Sequence, residues 1–342
     1  MVRRLFGYLS AGIPSLFVAG SAFGHHSNDY HFDRNVDVTV SGKVNRFRFI
    51  NPHSRLLVDV KSDDGDVVTW DCEMGAANGL RRNGWKDDVF RPGEDIVIQG
   101  FAARRSETEC YFDYADMGDG RRITMVDRFD ESSPIRPDAT AVAVVPPGVP
   151  NFTRVWQRGP GNGGGGGPQL GGPNRQAWVL NEAGQAALAA YDPVVDDPSL
   201  NCSPVSIVRL WGTGNLTRIT QDDDQVKIEH EWMDATRIVH LGMSEHSIER
   251  PDNVLGHSIG WYEGNTFVID TVGYPHGVLH QHPGLPHSDK LHTIERLTLS
   301  ESGDSFELTY IAEDEDYFVD QLTGSRSFVA SSEAMRDYNC TH

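Results

Sequence analysis

Between Val36 and about Arg128, apolar and polar residues alternate in short runs separated by turn residues, the two-residue period of half-buried strands. VDVTVSGKVNRFRFI alternates throughout, and RLLVDVK and DVVTWDCEM flank the turn residues Asp63, Asp64 and Gly65 as a hairpin would. DIVIQGFAAR follows the turn pair Pro92-Gly93, and CYFDYADM and RRITMVD complete the set. Five or six short strands in roughly 90 residues predict a small N-terminal β-barrel, because closure removes exposed edges.

The second half carries the same period after a short helical stretch, NEAGQAALAAYD, which Asn181 can cap. VSIVRLWG, LTRITQ, QVKIEHEW, RIVHLG, HSIGWYEG, TFVIDTVG, HTIERLTLS, SFELTYIAEDEDYF and SRSFVASSE read as strands. The expected fold class is all-β: a small N-terminal β-barrel plus a larger antiparallel β-barrel or sandwich, with strands enough to surround a small-molecule cavity. Between the two, residues 131–173 turn rich in proline and glycine, with five consecutive glycines, and cannot build a core. They are expected to be a linker or surface loop joining domains at 25–130 and 174–342, since no P-loop Gly-Lys-Ser follows.

At the start, Arg3 and Arg4 precede an apolar run from Leu5 to Phe23 that Gly7, Gly12, Pro14 and Gly20 interrupt. Residues 1–24 are therefore expected to be an export signal, a membrane anchor being the less favoured reading of so short a run. The expected location is periplasmic or secreted, without membrane insertion after processing. A formal net charge of -19 repels nucleic acid, and it disfavours anionic ligands except where basic residues converge. Export permits disulfides among Cys72, Cys110, Cys202 and Cys340; pairing Cys72 with Cys110 and Cys202 with Cys340 would staple each half, although spacing leaves connectivity open.

Several stretches resemble known groups. GHHS near residue 24, V-x-G-x-V from Val40, NPHS from Asn51, WDCE from Trp70 and LRRNGW from Leu80 resemble an exported proteobacterial family of unknown function. DDP from Asp196, RIVHLG from Arg237, GHSIGWYEGNTFVIDT from Gly256, HSDKLHTIERL from His287 and the terminal Tyr338-Asn339-Cys340 resemble a second, widespread and uncharacterised family. Trp261 and Tyr262 depart from that pattern, which has arginine and tryptophan at those places. The resemblance implies export and a β-rich fold and brings no catalytic assignment.

Eight of the 14 histidines fall between His240 and His292, and imidazole is the side chain that exchanges protons near neutrality. The turn Gly264-Asn265 predicts a hairpin that pairs Glu263 with Thr266 and brings His257 close to Asp270 or one residue beyond. An all-structural role for each histidine competes with a catalytic one. The favoured reading is an exported enzyme using cofactor-independent acid/base chemistry, of isomerase, lyase or cyclase type, on a neutral, mostly apolar substrate. In it His257 is the base, Asp270 orients it, and His292 with Glu263 or Glu295 handles the second proton. Trp261, Tyr262 and His287 would contact substrate.

Two other classes compete. One is a periplasmic ligand-binding or structural module: an enclosed cavity touched by His257 and His292 favours an enzyme or ligand binding, and a filled apolar core favours a scaffold. The other is copper binding: cleavage after Gly24 would expose the amine of His25, with His53, and His31 as reserve, supplying further nitrogen. No cofactor is favoured and copper is the alternative; a homo-oligomer is compatible with the sequence.

Overall fold

The computed structural model describes residues 28–62, 64–129, 145–159, 179–246, 253–280 and 284–341. The expected leader and much of the glycine-rich tract lie outside the described residues. A single helical turn, α1 (Asn28–His31), leads into β1 (Phe32–Arg48), β2 (Arg55–Lys61), β3 (Val67–Glu73), α2 (Ala77–Arg82), β4 (Asp95–Ala103), β5 (Glu109–Met117) and β6 (Arg122–Thr124). These strands form one sheet in the order β3-β2-β1-β4-β5-β6. β1 is long enough, at 17 residues, to pair with β2 along its second half and with β4 along most of its length.

The expected N-terminal barrel is corrected here: the unit is a six-stranded sheet. β6 continues it beyond β5 as a three-residue edge, and β3 meets β5 only in parallel over three residue pairs, Asp71–Glu109, Cys72–Cys110 and Glu73–Tyr111. The Cys72–Cys110 disulfide sits on the central pair. Leu56, Val58, Ile98 and Phe112 form the buried face, with Trp85 and Phe90 packed in the same cluster.

The remaining strands are β7 (Arg154–Arg158), β8 (Thr217–Gln221), β9 (Gln225–His230), β10 (Ala235–Leu241), β11 (His257–Glu263), β12 (Thr266–Val272), β13 (Gly277–His280), β14 (Leu285–His287), β15 (His292–Leu299), β16 (Ser305–Glu313) and β17 (Leu322–Ala330). Two helices, α3 (Glu182–Ala190) and α4 (Ile207–Gly212), lie between β7 and β8. Nine strands close a barrel in the order β10-β11-β12-β15-β16-β17-β7-β8-β9, while β13 and β14 form a separate hairpin. Strand directions cannot alternate all the way round an odd-numbered ring, so one neighbouring pair must be parallel. That pair is β10–β11, which corrects the expectation of a purely antiparallel second unit. The parallel pair needs a crossover, supplied by residues 242–256.

Two local readings also change. Arg154–Arg158, within the stretch read as linker, is the barrel strand β7, and VSIVRLWG, read as a strand, is the helix α4. Ser206 caps α4 by accepting from Arg209 N at 3.1 Å, and four of its six residues are buried, so the helix has no polar face from which a period could be read. α4 plugs the barrel. Its Trp211 ring contacts His230 on β9, Phe306 on β16 and Phe328 on β17, and its indole N–H donates to Glu295 on β15. With Trp156 edge-on to Phe306 at 4.8 Å, these rings fill the interior where a cavity was expected.

The sheet and the barrel are joined by a buried polar seam. Glu231, fully buried after β9, accepts from Arg82 and Asn78 of the sheet unit and from Leu216 N and Arg336 N of its own. Asn51 Nδ2 donates to Tyr338 O, and Thr341 N donates back to Asn51 O. The second disulfide, Cys202–Cys340, ties this terminal segment to the barrel unit. Both bonds match the pairing that staples each half, and they fit an oxidising, extracytoplasmic environment. No described helix is long and apolar enough to cross a membrane.

Candidate functional site

Directly paired residues of neighbouring strands point to the same side of a sheet. Ser258 pairs with Thr271, Gly260 with Ile269 and Tyr262 with Phe267, and this set faces the core. His257, paired with Val272, therefore faces outward together with Asp270, which pairs with Ile259 and Ile294. The outward set continues through His240 opposite Ile259 on β10 and through the His292–Glu313 pair on β15 and β16. The fold thus lays His240, His257, Asp270, His292 and Glu313 across five adjacent strands on the outer wall.

His246, from the β10–β11 crossover, bridges this row. Its Nε2 is 3.1 Å from Asp270 Oδ1 and its Nδ1 is 2.9 Å from His257 Nδ1. His292 Nε2 reaches the same Asp270 oxygen at 2.9 Å, and its Nδ1 lies 3.7 Å from Glu313. His240 stacks on His257 with ring centres 5.2 Å apart. The expected direct contact between His257 and Asp270 is replaced by one through His246, because His257 lies two residues beyond Asp270's level on the paired strand.

The two ends of the row are driven in opposite directions. Burial, with the neighbouring His246 and His240, holds His257 below the ordinary imidazole range. The hydrogen bond to Asp270, against an opposing burial effect, holds His292 above it. Burial pulls the Asp270 carboxyl up, but the hydrogen bonds from His292 and His246 prevail and keep it below the usual carboxylate value. The row thus sets an imidazole whose surroundings favour the neutral form and one whose carboxylate partner favours the charged form on either side of Asp270.

The other expected site residues are not gathered here. Glu263 lies at the far end of β11, about 20 Å along the strand from His257, where it accepts from Trp261 and Arg296 at the surface. Glu295 is inside the barrel, held by Arg237 at 3.0 Å and by Trp211. Trp261 is exposed on the outer face, whereas Tyr262 faces inward and accepts from Gln221 Nε2 at 2.8 Å, so the two do not make one wall. Tyr262 instead borders an open cleft of about 670 Å³ shared with Val145, Val149, Asp222 and Leu241. His287 is buried in β14, its Nδ1 3.1 Å from Ser288 O, and burial lowers its pKa.

His25 lies outside the described residues. His31 Nε2 is 2.9 Å from Glu109, and His53 Nδ1 is 3.0 Å from Glu73. Arg55 pairs with Glu73 at 3.1 Å and approaches Glu109 at 4.0 Å, placing a fixed cation between the two histidine–carboxylate pairs. Among the described residues, no group of three or more His, Cys, Asp or Glu has the arrangement of a metal site.

Sequence reasoning did not single out His240 or His246, although both belong to the histidine-rich stretch; nothing local says that a crossover folds back onto Asp270. It also missed Arg237 and Trp211, the interior partners of Glu295. His230, deep in the barrel beside Thr217 Oγ1 at 3.0 Å, is a neutral core histidine, pushed by burial and by Arg237 down to about 3.

A model described as a family of unknown function (DUF6152) matches residues 15–111, well under half of the chain. No curated protein matches. Among solved structures, the chain is similar to a secretary abundant heat soluble protein from Ramazzottius varieornatus, at 10% identity over 53% of this chain and 95% of that one. The TM-score is 0.27, too low to carry an argument about fold or function.

Proposed function

We propose that this chain is an exported binding or scaffold module whose working surface is the histidine–aspartate row on the outer wall of the C-terminal barrel. The observation that carries this reading is the filled interior: α4 and its Trp211 occupy the space that a barrel enzyme or a carrier of apolar ligands keeps open. A row of imidazoles with opposed proton affinities suits contact with a partner or ligand that is gained or lost with pH. Nile red, a neutral apolar fluorophore, tests the point. The reading expects no saturable enhancement, and stoichiometric binding displaced by fatty alcohols would overturn it. The likeness of the C-terminal blocks to a widespread uncharacterised family belongs to the same proposal.

A second reading keeps the acid/base enzyme, of isomerase or lyase type. The opposite shifts of His257 and His292 about one carboxylate support it, since a poised base and a poised acid are what proton transfer needs. Here His257 removes a proton, Asp270 orients His246 and His292, and His292 returns a proton. Deuterium uptake from D2O into a panel of neutral ketones, followed by NMR, would exceed that of His257→Gln. Equal uptake by both proteins removes this reading.

A further inference from the structure

The end of β10, the end of β11 and the turn between β8 and β9 meet at one rim of the barrel. Leu241 N donates to Asp224 O at 2.8 Å and Asp222 N to Gln225 O at 2.9 Å, so the turn is tied to β10 and β9. Gln221, at the end of β8, is bonded through both atoms of its amide. Its Oε1 accepts from Phe152 N at 2.6 Å, and its Nε2 donates to Pro150 O at 3.0 Å and to the Tyr262 hydroxyl at 2.8 Å. The chain entering β7 is thereby fastened to the rim. Just before it, Val149 N donates to Pro146 O at 3.1 Å, closing a turn in which Gly148 has φ 89°, a conformation that favours glycine.

These segments border the open cleft of about 670 Å³, a volume within the range of small-molecule sites. Two kinds of surface line it. Val145, Pro146, Val149 and Leu241 are apolar, and the Tyr262 ring, packed on Phe267 with centres 5.0 Å apart, is aromatic. Asp222, Asp223 and Asp224 are exposed carboxylates with no hydrogen bond or ion pair from any described side chain. The cations of the same hairpin are engaged elsewhere: Lys227 Nζ is 2.8 Å from Glu229, and Arg218 is 3.8 Å from it. The Tyr262 hydroxyl accepts from Gln221, and no described group accepts its own proton. Among the described residues the three carboxylates form no metal-binding arrangement.

We propose that this rim cleft binds a small organic cation, an ammonium group carried on an apolar body. Unpaired carboxylates beside apolar walls draw positive charge into a cleft, because the low-dielectric walls focus their field. The body of the ligand would lie on the valine, proline and leucine surface, with its ammonium toward Asp222, Asp223 and Asp224. The Tyr262 ring offers a cation–π contact and its hydroxyl a hydrogen bond. An inorganic cation gains nothing from the apolar surface, and a neutral molecule gains nothing from the carboxylates, so the cleft selects for both features in one ligand. Tyr262 is roughly 17 Å along β11 from His257 and faces the opposite side of the strand, so the site stands independently of the outer histidine row.

Isothermal titration of the full, disulfide-bonded protein tests this, with phenylpropylammonium, benzyltrimethylammonium, phenylpropanol and ammonium chloride as probes. Phenylpropylammonium is expected to bind at one site per chain, and phenylpropanol and ammonium at least about tenfold more weakly, the size of effect that loss of one charged or apolar contact produces. The combined variant Asp222→Asn, Asp223→Asn, Asp224→Asn should weaken phenylpropylammonium binding at least about tenfold without lowering the unfolding temperature, since these side chains are exposed. Val149→Ser, which keeps every charge and trims the apolar wall, should also weaken it. Glu301→Gln with Glu307→Gln removes exposed carboxylates that do not line the cleft and should leave the affinity unchanged. An equal loss there would mean general attraction to an acidic protein and overturn the site. Benzyltrimethylammonium binding as tightly would identify recognition by charge and ring, and weaker binding a need for N–H donors; both support the proposal. No saturable binding of phenylpropylammonium to the unsubstituted protein overturns it, as does phenylpropanol binding equally well or unchanged affinity in the folded asparagine variant.

Discussion

Asp270 is the residue on which the outer row turns. It accepts from two histidines through one oxygen, and its hydrogen bond is the chief cause that raises the pKa of His292. A histidine whose folded pKa is raised stabilises the fold below its unfolded value, and that contribution is lost as pH rises through the folded pKa. His257 is depressed and acts oppositely: its contribution is present above the unfolded value and is lost as pH falls. Asp270→Asn should therefore bring the His292 titration down in an NMR pH series and lessen stability on the acid side of neutrality; an unmoved His292 resonance contradicts the assignment. Inside the barrel Glu295 plays a different part. Removing it in Glu295→Ala leaves Arg237 a buried, uncompensated charge and Trp211 without its acceptor, which should cost about 3–5 kcal/mol in denaturant unfolding.

At the scale of elements, α4 matters more than its six residues suggest. It supplies the indole that fills the barrel, and its cap Ser206 also donates to Leu279 O at 2.6 Å, tying the helix to the β13–β14 hairpin. Ser206→Ala removes a cap and leaves a buried carbonyl unsatisfied, so a loss of about 1–3 kcal/mol is expected. Faster amide exchange should appear together in 207–212 and in the hairpin strands 277–280 and 285–287, and protection unchanged in those strands would contradict the coupling. The same element marks where sequence reading fails. A short, wholly apolar run has neither the two-residue nor the 3.6-residue period, so VSIVRLWG reads as a buried strand equally well. By contrast, Gly264-Asn265 set the β11–β12 register as expected at Glu263–Thr266, because a two-residue turn leaves the flanking strands few ways to pair.

At the scale of the whole molecule, motifs that stood out in sequence serve to join the two units. Asn51 of NPHS, Arg82 of LRRNGW and Tyr338 at the end of the chain meet around Glu231 and the terminal segment. The seam predicts that sheet and barrel unfold as one. Glu231→Ala, which strands Arg82 and Asn78 between the units, should split a single calorimetric transition into two; a single transition in the variant would show that the seam does not couple them.

What the sequence determined by itself is whatever short-range pattern fixes: the all-β class, most strands, the hairpin register, and the stretch of chain in which the histidines concentrate. Tertiary structure alone decided that the N-terminal strands form a sheet, that nine strands close with one parallel pair, and that the barrel is plugged. It also decided which face each chemical group occupies. Alternation assigns residues to two sides of a strand without saying which side is the interior, and only closure around α4 placed Glu295 inside and His257, Asp270 and His292 outside.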